Sequence, residues 1–178
     1  MARRASEQVE AILDELPKFI ERARECRDLI LGNLVMLGEI PAPTFKEEDR
    51  VEFLMQRFSE CGLQNCSTDE TGNGVGVIPG EDSSRSILLV AHPDTIFTTA
   101  TDHTVSVHSD SVVGPGVADN SLGLATLASL PTILDMLNIQ FRSDLILLGG
   151  ARSLGRGNLE GLRFFLANNQ MPIQTGVC

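Results

Sequence analysis

Ser86-Ile-Leu-Leu-Val-Ala91-His92-Pro-Asp94-Thr95 is the stretch on which the fold turns. Residues 86–91 form a nearly continuous apolar run of leucine and β-branched side chains, the composition of a strand buried on both faces. His92 stands where that strand ends. A second such run covers residues 144–149. Between them, residues 104–113 alternate and predict one or two exposed strands, and residues 120–137 carry apolar side chains at helical spacing. Buried strands separated by helices need crossover connections, so the reading is an α/β fold with a largely parallel mixed sheet flanked by helices. Ligands of such sheets bind beyond the carboxyl ends of the strands, which puts the turns at residues 91–95 and 149–157 on the functional edge.

Working outward, residues 6–31 place Val9, Ile12, Leu13, Leu16, Phe19, Ile20 and Ala23 at helical spacing among charges, an amphipathic segment expected to bend at Pro17. From Leu34 the chain runs into Pro41 and Pro43 and predicts an extended loop, followed by a helix over 46–61 that Gly62 ends. Asp69-Glu-Thr-Gly-Asn-Gly74 reads as a turn, 75–78 as a short strand, Pro79-Gly-Glu-Asp82 as another turn and 159–168 as a further helix. There is no internal repeat or low-complexity linker. The organisation predicted is an amino-terminal helical segment, 1–32, followed by one domain, 33–178.

A chain of 178 residues with 42% hydrophobic side chains is long enough for one sizeable core. Its formal charge of -10, from 14 Lys plus Arg against 24 Asp plus Glu, repels phosphate backbones and acidic membrane surfaces, so neither nucleic acid nor membrane is expected as a partner. Base-stacking platforms are poorly supplied, with no Trp or Tyr. Four cysteines without a C-x-x-C pair fit a reducing, cytoplasmic setting. The start lacks an unbroken apolar h-region, and the apolar runs at 87–91 and 145–151 are too short to span a bilayer, so no signal peptide or transmembrane helix is expected.

A histidine directly after a buried strand is oriented by a rigid element. An aspartate two residues on can hold the ring nitrogen that does not bind metal, which fixes the tautomer and raises ligand basicity. His92 and Asp94 have that spacing, although His-x-Asp alone also fits an ordinary surface turn. In Gly114-Pro-Gly116-Val-Ala-Asp119-Asn120-Ser-Leu-Gly123, Asp119 falls just before a helix, where it could cap the helix or bridge two metal ions; the roles compete for the same oxygens. His103 and His108 lie in the alternating stretch Asp102-His-Thr-Val-Ser-Val-His-Ser-Asp110 and are expected at exposed strand positions. Gly150-Ala-Arg-Ser153-Leu-Gly155 misses the Gly-x-Ser-x-Gly spacing of a nucleophile elbow, and Gly114 and Gly116 lack the third glycine and the lysine of phosphate loops.

Taken in order, Glu39-Ile-Pro-Ala-Pro-Thr44, Asp69-Glu-Thr-Gly-Asn73, Ala91-His92-Pro-Asp94-Thr95 and Gly116-Val-Ala-Asp119-Asn120-Ser-Leu-Gly123 resemble the zinc aminoacylase and carboxypeptidase family. That family includes tripeptide aminopeptidases, acetylornithine deacetylases and succinyl-diaminopimelate desuccinylases. The similarity begins near Leu34 and runs to the end of the chain. It implies a truncated zinc-exopeptidase-like catalytic domain over 33–178 and a site for two zinc ions. In that site His92 is a ligand of one zinc, Asp94 the aspartate that orients it and Asp119 the bridging carboxylate. The resemblance also implies two adjacent glutamates after the strand at 144–149, the first a general base and the second a zinc ligand. Ser153 and Leu154 occupy those positions here, and the flanking Gly155-Arg-Gly157-Asn-Leu-Glu-Gly161 keeps the register. Glu160 is expected on the next helix, facing solvent. The next carboxylate ligand, the lid domain and the terminal histidine ligand are expected to lie outside this sequence.

Arg152 and Arg156 are candidates for holding a substrate carboxylate, which would suit a small peptide or N-acyl amino acid; solvated loop arginines are the alternative. The function implied is a metallohydrolase-like domain of a lineage that hydrolyses peptide or amide bonds, with weak or no activity in this chain. The alternative is a non-catalytic remnant acting as a binding or partner-dependent module. A homodimer, or completion by another chain, is the assembly to expect.

Overall fold

The computed structural model describes residues 2–178, without the side chains of residues 2–8, 11, 12, 15, 19 and 23. The predicted stripe positions Ile12, Phe19 and Ala23 therefore lie outside the described side chains, while Val9, Leu13, Leu16 and Ile20 are exposed. In chain order the elements are α1 (Ala2–Glu25), α2 (Arg27–Gly38), α3 (Glu48–Glu60), β1 (Gln64–Thr68), β2 (Gly74–Ile78), β3 (Asp82–Ala91), β4 (Ser106–Val107), β5 (Val112–Val113), a π-helical turn (Val117–Ser121), α4 (Leu122–Leu137), β6 (Ser143–Gly149), α5 (Glu160–Asn168) and β7 (Ile173–Val177).

The fold is α/β. Five strands form one sheet in the order β1-β2-β6-β3-β7, and β4 pairs with β5 apart from it. β3 runs parallel to both β6 and β7, while β2 is antiparallel to β1 and β6, so the sheet is mixed. The apolar runs that announced β3 and β6 put them at its centre. Successive side chains of a strand point to opposite faces, and β6 divides its residues accordingly. Leu145 and Leu147 join Leu34, Leu37, Leu54, Phe58, Leu124 and Leu127 in one core, beneath α2, α3 and α4. Ile146 and Leu148 join Val75, Val77, Leu88 and Phe165 in the second core, beneath α5.

Several expectations are corrected. The first helical segment is interrupted at the buried Cys26, and Pro17 lies inside α1. α2 continues to Gly38, past the predicted start of the loop, because Leu34 and Leu37 gain core burial and Pro41 stops the chain only three residues later. β1, Gln-Asn-Cys-Ser-Thr, and β7, Ile-Gln-Thr-Gly-Val, were not predicted; both are edge strands whose few apolar residues give no alternation to read. His103 is buried at 6% exposure and lies before β4, where its Nε2–H donates to Thr98 O at 3.0 Å. His108 is exposed, as predicted, but it follows β4 rather than belonging to it.

A buried polar network fastens the β1–β2 turn to the loop after β6. Asn73 is fully buried; its Nδ2 donates to Asp69 Oδ2 at 2.6 Å and to Gly161 O at 2.9 Å, and its Oδ1 accepts the Ala151 N–H at 2.8 Å. A side chain at position 161 would collide with Asn73 Oδ1 and Ala151 O. Gly161→Ala is therefore expected to lower stability by about 2–4 kcal/mol, as overpacking against fixed polar groups does. A urea midpoint unchanged from the parent protein would contradict this role for Gly161.

Candidate metal centre

β3 and β6 are parallel and in register to their last residues, Ala91 opposite Gly149, so both strands open onto one edge of the sheet. Gly150 N–H donates to Ala91 O at 2.8 Å and keeps the two exits together. His92 leaves β3 there. Its Nδ1 lies 3.0 Å from the main-chain oxygen of Asp94 and 3.3 Å from Asp94 Oδ1, and its Nε2 lies 3.1 Å from Asp119 Oδ1. The imidazole at the strand exit and the carboxylate 27 residues later thus converge. Both ring nitrogens face acceptors, an arrangement satisfied only when the imidazole is protonated or a cation sits between Nε2 and Asp119. Burial by itself lowers the proton affinity of His92, but the Asp94 and Asp119 carboxylates outweigh it and raise the pKa above the usual value.

Asp94 is fully buried. Its Oδ2 accepts from Thr44 Oγ1 at 2.9 Å and from the Leu154 N–H at 2.8 Å. Burial would raise this carboxyl's pKa, but His92, the Leu154 amide and Thr44 together hold it below the ordinary aspartate range. Oδ1 has no well-directed hydrogen bond, and the imidazole is the group set to meet it. The Thr44 loop is carried to the site by Thr95 N–H donating to Ala42 O at 2.8 Å and by a bridge between Pro43 and Thr95.

Asp119 does not cap the helix. It lies in the π-helical turn before α4, and the Gly123 N–H is taken by Asn120 Oδ1 at 3.1 Å. The neighbouring asparagine thus takes the capping role, and the Asp119 carboxylate is left 77% exposed, with Oδ1 3.1 Å from His92 Nε2. Gly116 opens the turn at φ +68°, where a side chain would be strained and would press on Thr95. The Asp119–Asn120 peptide is cis.

Ser153 and Leu154 lie beside this edge. Ser153 Oγ donates to Gly150 O at 2.8 Å, and Leu154 reaches Asp94 only through its backbone. Arg152 Nη1 pairs with Glu160 Oε1 at 2.9 Å, and its guanidinium stands over the Phe45 ring, 5.8 Å from the centroid. Glu160 opens α5, half-exposed and engaged with Arg152; Arg156 is exposed.

Two residues here were not singled out from the sequence. Arg50 on α3 is fully buried, and it donates to Ile40 O at 2.7 Å, to Pro93 O and Ser121 Oγ at 3.1 Å, and to Gly38 O at 3.4 Å. One guanidinium thus ties the end of α2, the His92–Asp94 turn and the turn that carries Asp119. Burial lowers its pKa to about 10, so it stays charged at neutral pH. The signal was present: Arg50 stands four and eight residues before Leu54 and Phe58, on the buried face of α3. Glu47 is also buried, accepts the Arg152 N–H at 2.9 Å, and has its pKa raised by burial and by the charge on Asp94.

Among the described residues, no three of His, Cys, Asp and Glu gather closely enough to hold a metal ion. His92 and Asp119 offer two donors, whereas catalytic zinc takes three protein ligands. The residues present do not complete such a site.

No family model and no curated protein matches the sequence. Solved structures do match. The aminopeptidase PepT of Bacillus cereus superposes with a TM-score of 0.60 at 20% identity, over 70% of this chain and 36% of that one. The di-peptidase Dug1p of Saccharomyces cerevisiae gives 0.69 at 15% identity, over 87% and 38%. The fold is peptidase-like. Aminoacylhistidine dipeptidase from Vibrio alginolyticus shares it, with a TM-score of 0.57 at 20% identity, over 72% of this chain and 28% of that one. This chain spans little more than a third of the first two peptidases, 36% and 38%.

Proposed function

We propose that residues 33–178 are part of a catalytic domain of the zinc aminoacylase and carboxypeptidase family, preceded by a helical segment over 1–32, and that its two-zinc site is degenerate. The observation that carries this reading is the 3.1 Å approach of His92 Nε2 to Asp119 Oδ1 at the carboxyl edge of a peptidase-like sheet. Asp94 would orient the imidazole, and His92 and Asp119 would be the zinc ligands. Ser153 and Leu154 would stand for the base and the next ligand. A serine hydroxyl is no base near pH 7, this one is already bonded to Gly150 O, and leucine has no donor atom.

The lineage acts on small peptides or N-acyl amino acids; this chain alone holds zinc weakly and hydrolyses neither. Of the two arginines suggested for a substrate carboxylate, Arg156 is the exposed one, while Arg152 is engaged by Glu160. Four free cysteines support a reducing, cytoplasmic setting, and no helix among the described residues is long and apolar enough to cross a membrane. A homodimer, or a second chain supplying the missing donors, are the assemblies this reading allows.

A second reading is favoured by the two-donor count: a remnant that keeps the fold and serves as a binding or partner-dependent module. Zinc titration with parallel assays on dipeptides and N-acetyl amino acids separates the two. Weak zinc uptake that vanishes in His92→Ala, without turnover, is the result expected of a degenerate centre. A folded protein that takes up no zinc supports the remnant. Chelator-sensitive hydrolysis by the purified chain would overturn both.

A further inference from the structure

Val9, Leu13, Leu16 and Ile20 of α1 are between 44% and 57% exposed and belong to neither core. Single apolar side chains scattered over a surface need no explanation. These four, however, stand 4, 3 and 4 residues apart, the alternation that keeps one seam of a helix turned to a partner helix. At 3.6 residues per turn they share a face about 60° wide. Arg22, whose Nη2 donates to Met136 O of α4 at 2.8 Å, lies about 150° round the helix from that face. α1 is thus tied to the body through its far side, and the seam looks outward.

Charge complementarity identifies the occupant. Glu10 and Arg24 flank the seam on one side, and both are exposed. When a second copy of α1 lies antiparallel with its Leu16 opposite Leu13, its Ile20 meets Val9 and its Arg24 comes beside Glu10. Two-fold symmetry repeats each of these pairs. The same register sets residue 4 opposite residue 25, so it overlaps nearly the whole of Ala2–Glu25. The bond that Arg24 makes with Glu21, at 3.0 Å, is exposed on both sides and is no obstacle, since such surface pairs contribute little. A lipid surface fits less well: helices that lie on membranes have a polar face rich in Lys and Arg, whereas α1 has five basic and six acidic residues. A helix of 24 residues is about 36 Å long and about 10 Å wide, so the pairing covers about 360 Å² per copy, under half of the roughly 800 Å² of a stable pair. The association is therefore weak, with a Kd on the order of 100 µM.

We propose that α1 is a self-association surface, which pairs antiparallel with the α1 of a second copy of this chain through Val9, Leu13, Leu16 and Ile20. The pairing does not depend on the metal centre. Sedimentation velocity of the full chain, from tenfold below to tenfold above the expected Kd, should show a reversible monomer–dimer equilibrium. A Leu13→Gln, Leu16→Gln double variant keeps good helix formers at two exposed positions, so its far-UV circular dichroism and urea midpoint should match the parent's. Its dimerisation should weaken by at least about tenfold, because the two central layers lose their apolar contacts. Glu10→Arg or Arg24→Glu alone sets like charges side by side and should weaken the dimer about threefold. The two together should restore it, which only the antiparallel register explains. A protein that is monomeric throughout, a dimer indifferent to the leucine pair, or no recovery in the double charge reversal would each overturn the proposal. So would binding of a still monomeric protein to phosphatidylcholine vesicles, the result expected of a lipid occupant.

Discussion

Replacing Arg50 with methionine should lower the unfolding free energy by about 3 kcal/mol, with acceptors left unpaired at about 1–3 kcal/mol each as the main contribution. Arg50 is fully buried, and its strongest bonds go to Ile40 O, Pro93 O and Ser121 Oγ. Methionine fills much of the volume but donates nothing to those atoms. Release of a buried charge offsets part of the loss, which keeps the expectation below the sum of three unpaired groups. Arg50→Lys retains the charge but not the planar fork, so it should recover only part of the stability. A local effect should accompany the global one. Pro93 and Ser121 belong to the two turns whose convergence brings Nε2 of His92 to Asp119, so the His92 ring resonances should shift or broaden in both variants. Equilibrium urea unfolding and imidazole NMR measure the two effects. A methionine variant as stable as the parent, with an unmoved His92 ring, would show that Arg50 is not the tie between these turns.

If the proposed zinc centre is right, Leu154→Glu should raise zinc affinity by about two orders of magnitude, because it would add a third protein donor to the two of His92 and Asp119. The backbone there is already anchored, with the Leu154 N–H 2.8 Å from Asp94 Oδ2, so the substitution disturbs no side-chain hydrogen bond. The gain should be read by competition with a chelating dye, and it should disappear when His92→Ala is combined with Leu154→Glu. Ser153→Glu alone should leave the affinity unchanged, since the proposed reading assigns that position to the base and not to a ligand. If Leu154→Glu binds zinc no better than the parent chain, residue 154 does not face the centre and the register inferred from the glycines around it is wrong.

How much of this was legible beforehand differs by element. β3 and β6 announced themselves because a central strand is buried on both faces, and every inward position must then be apolar. The edge strands β1 and β7 did not, since each has one open side and tolerates Gln, Asn, Ser and Thr. α2 ran beyond its predicted end because core contacts at Leu34 and Leu37 outweighed the nearby prolines. His103 shows the opposite error: a polar residue in an alternating stretch was taken as exposed, and its burial depends on where the loop before β4 folds.

Read as a string, the chain already states its α/β class, its central strands and the edge on which ligands would sit, with His92 and Asp94 on it; these need only local periodicity, composition and the general rule for such sheets. Asp119 joined that edge only through what the family resemblance implies. Folding had to settle which groups meet. Asn120 takes the helix-capping bond and frees Asp119, the buried Arg50 joins two turns more than 25 residues apart, and Glu160 claims Arg152. Such pairings are set by side-chain directions and by the exclusion of water between distant segments, and neither quantity is written in the spacing of any one stretch.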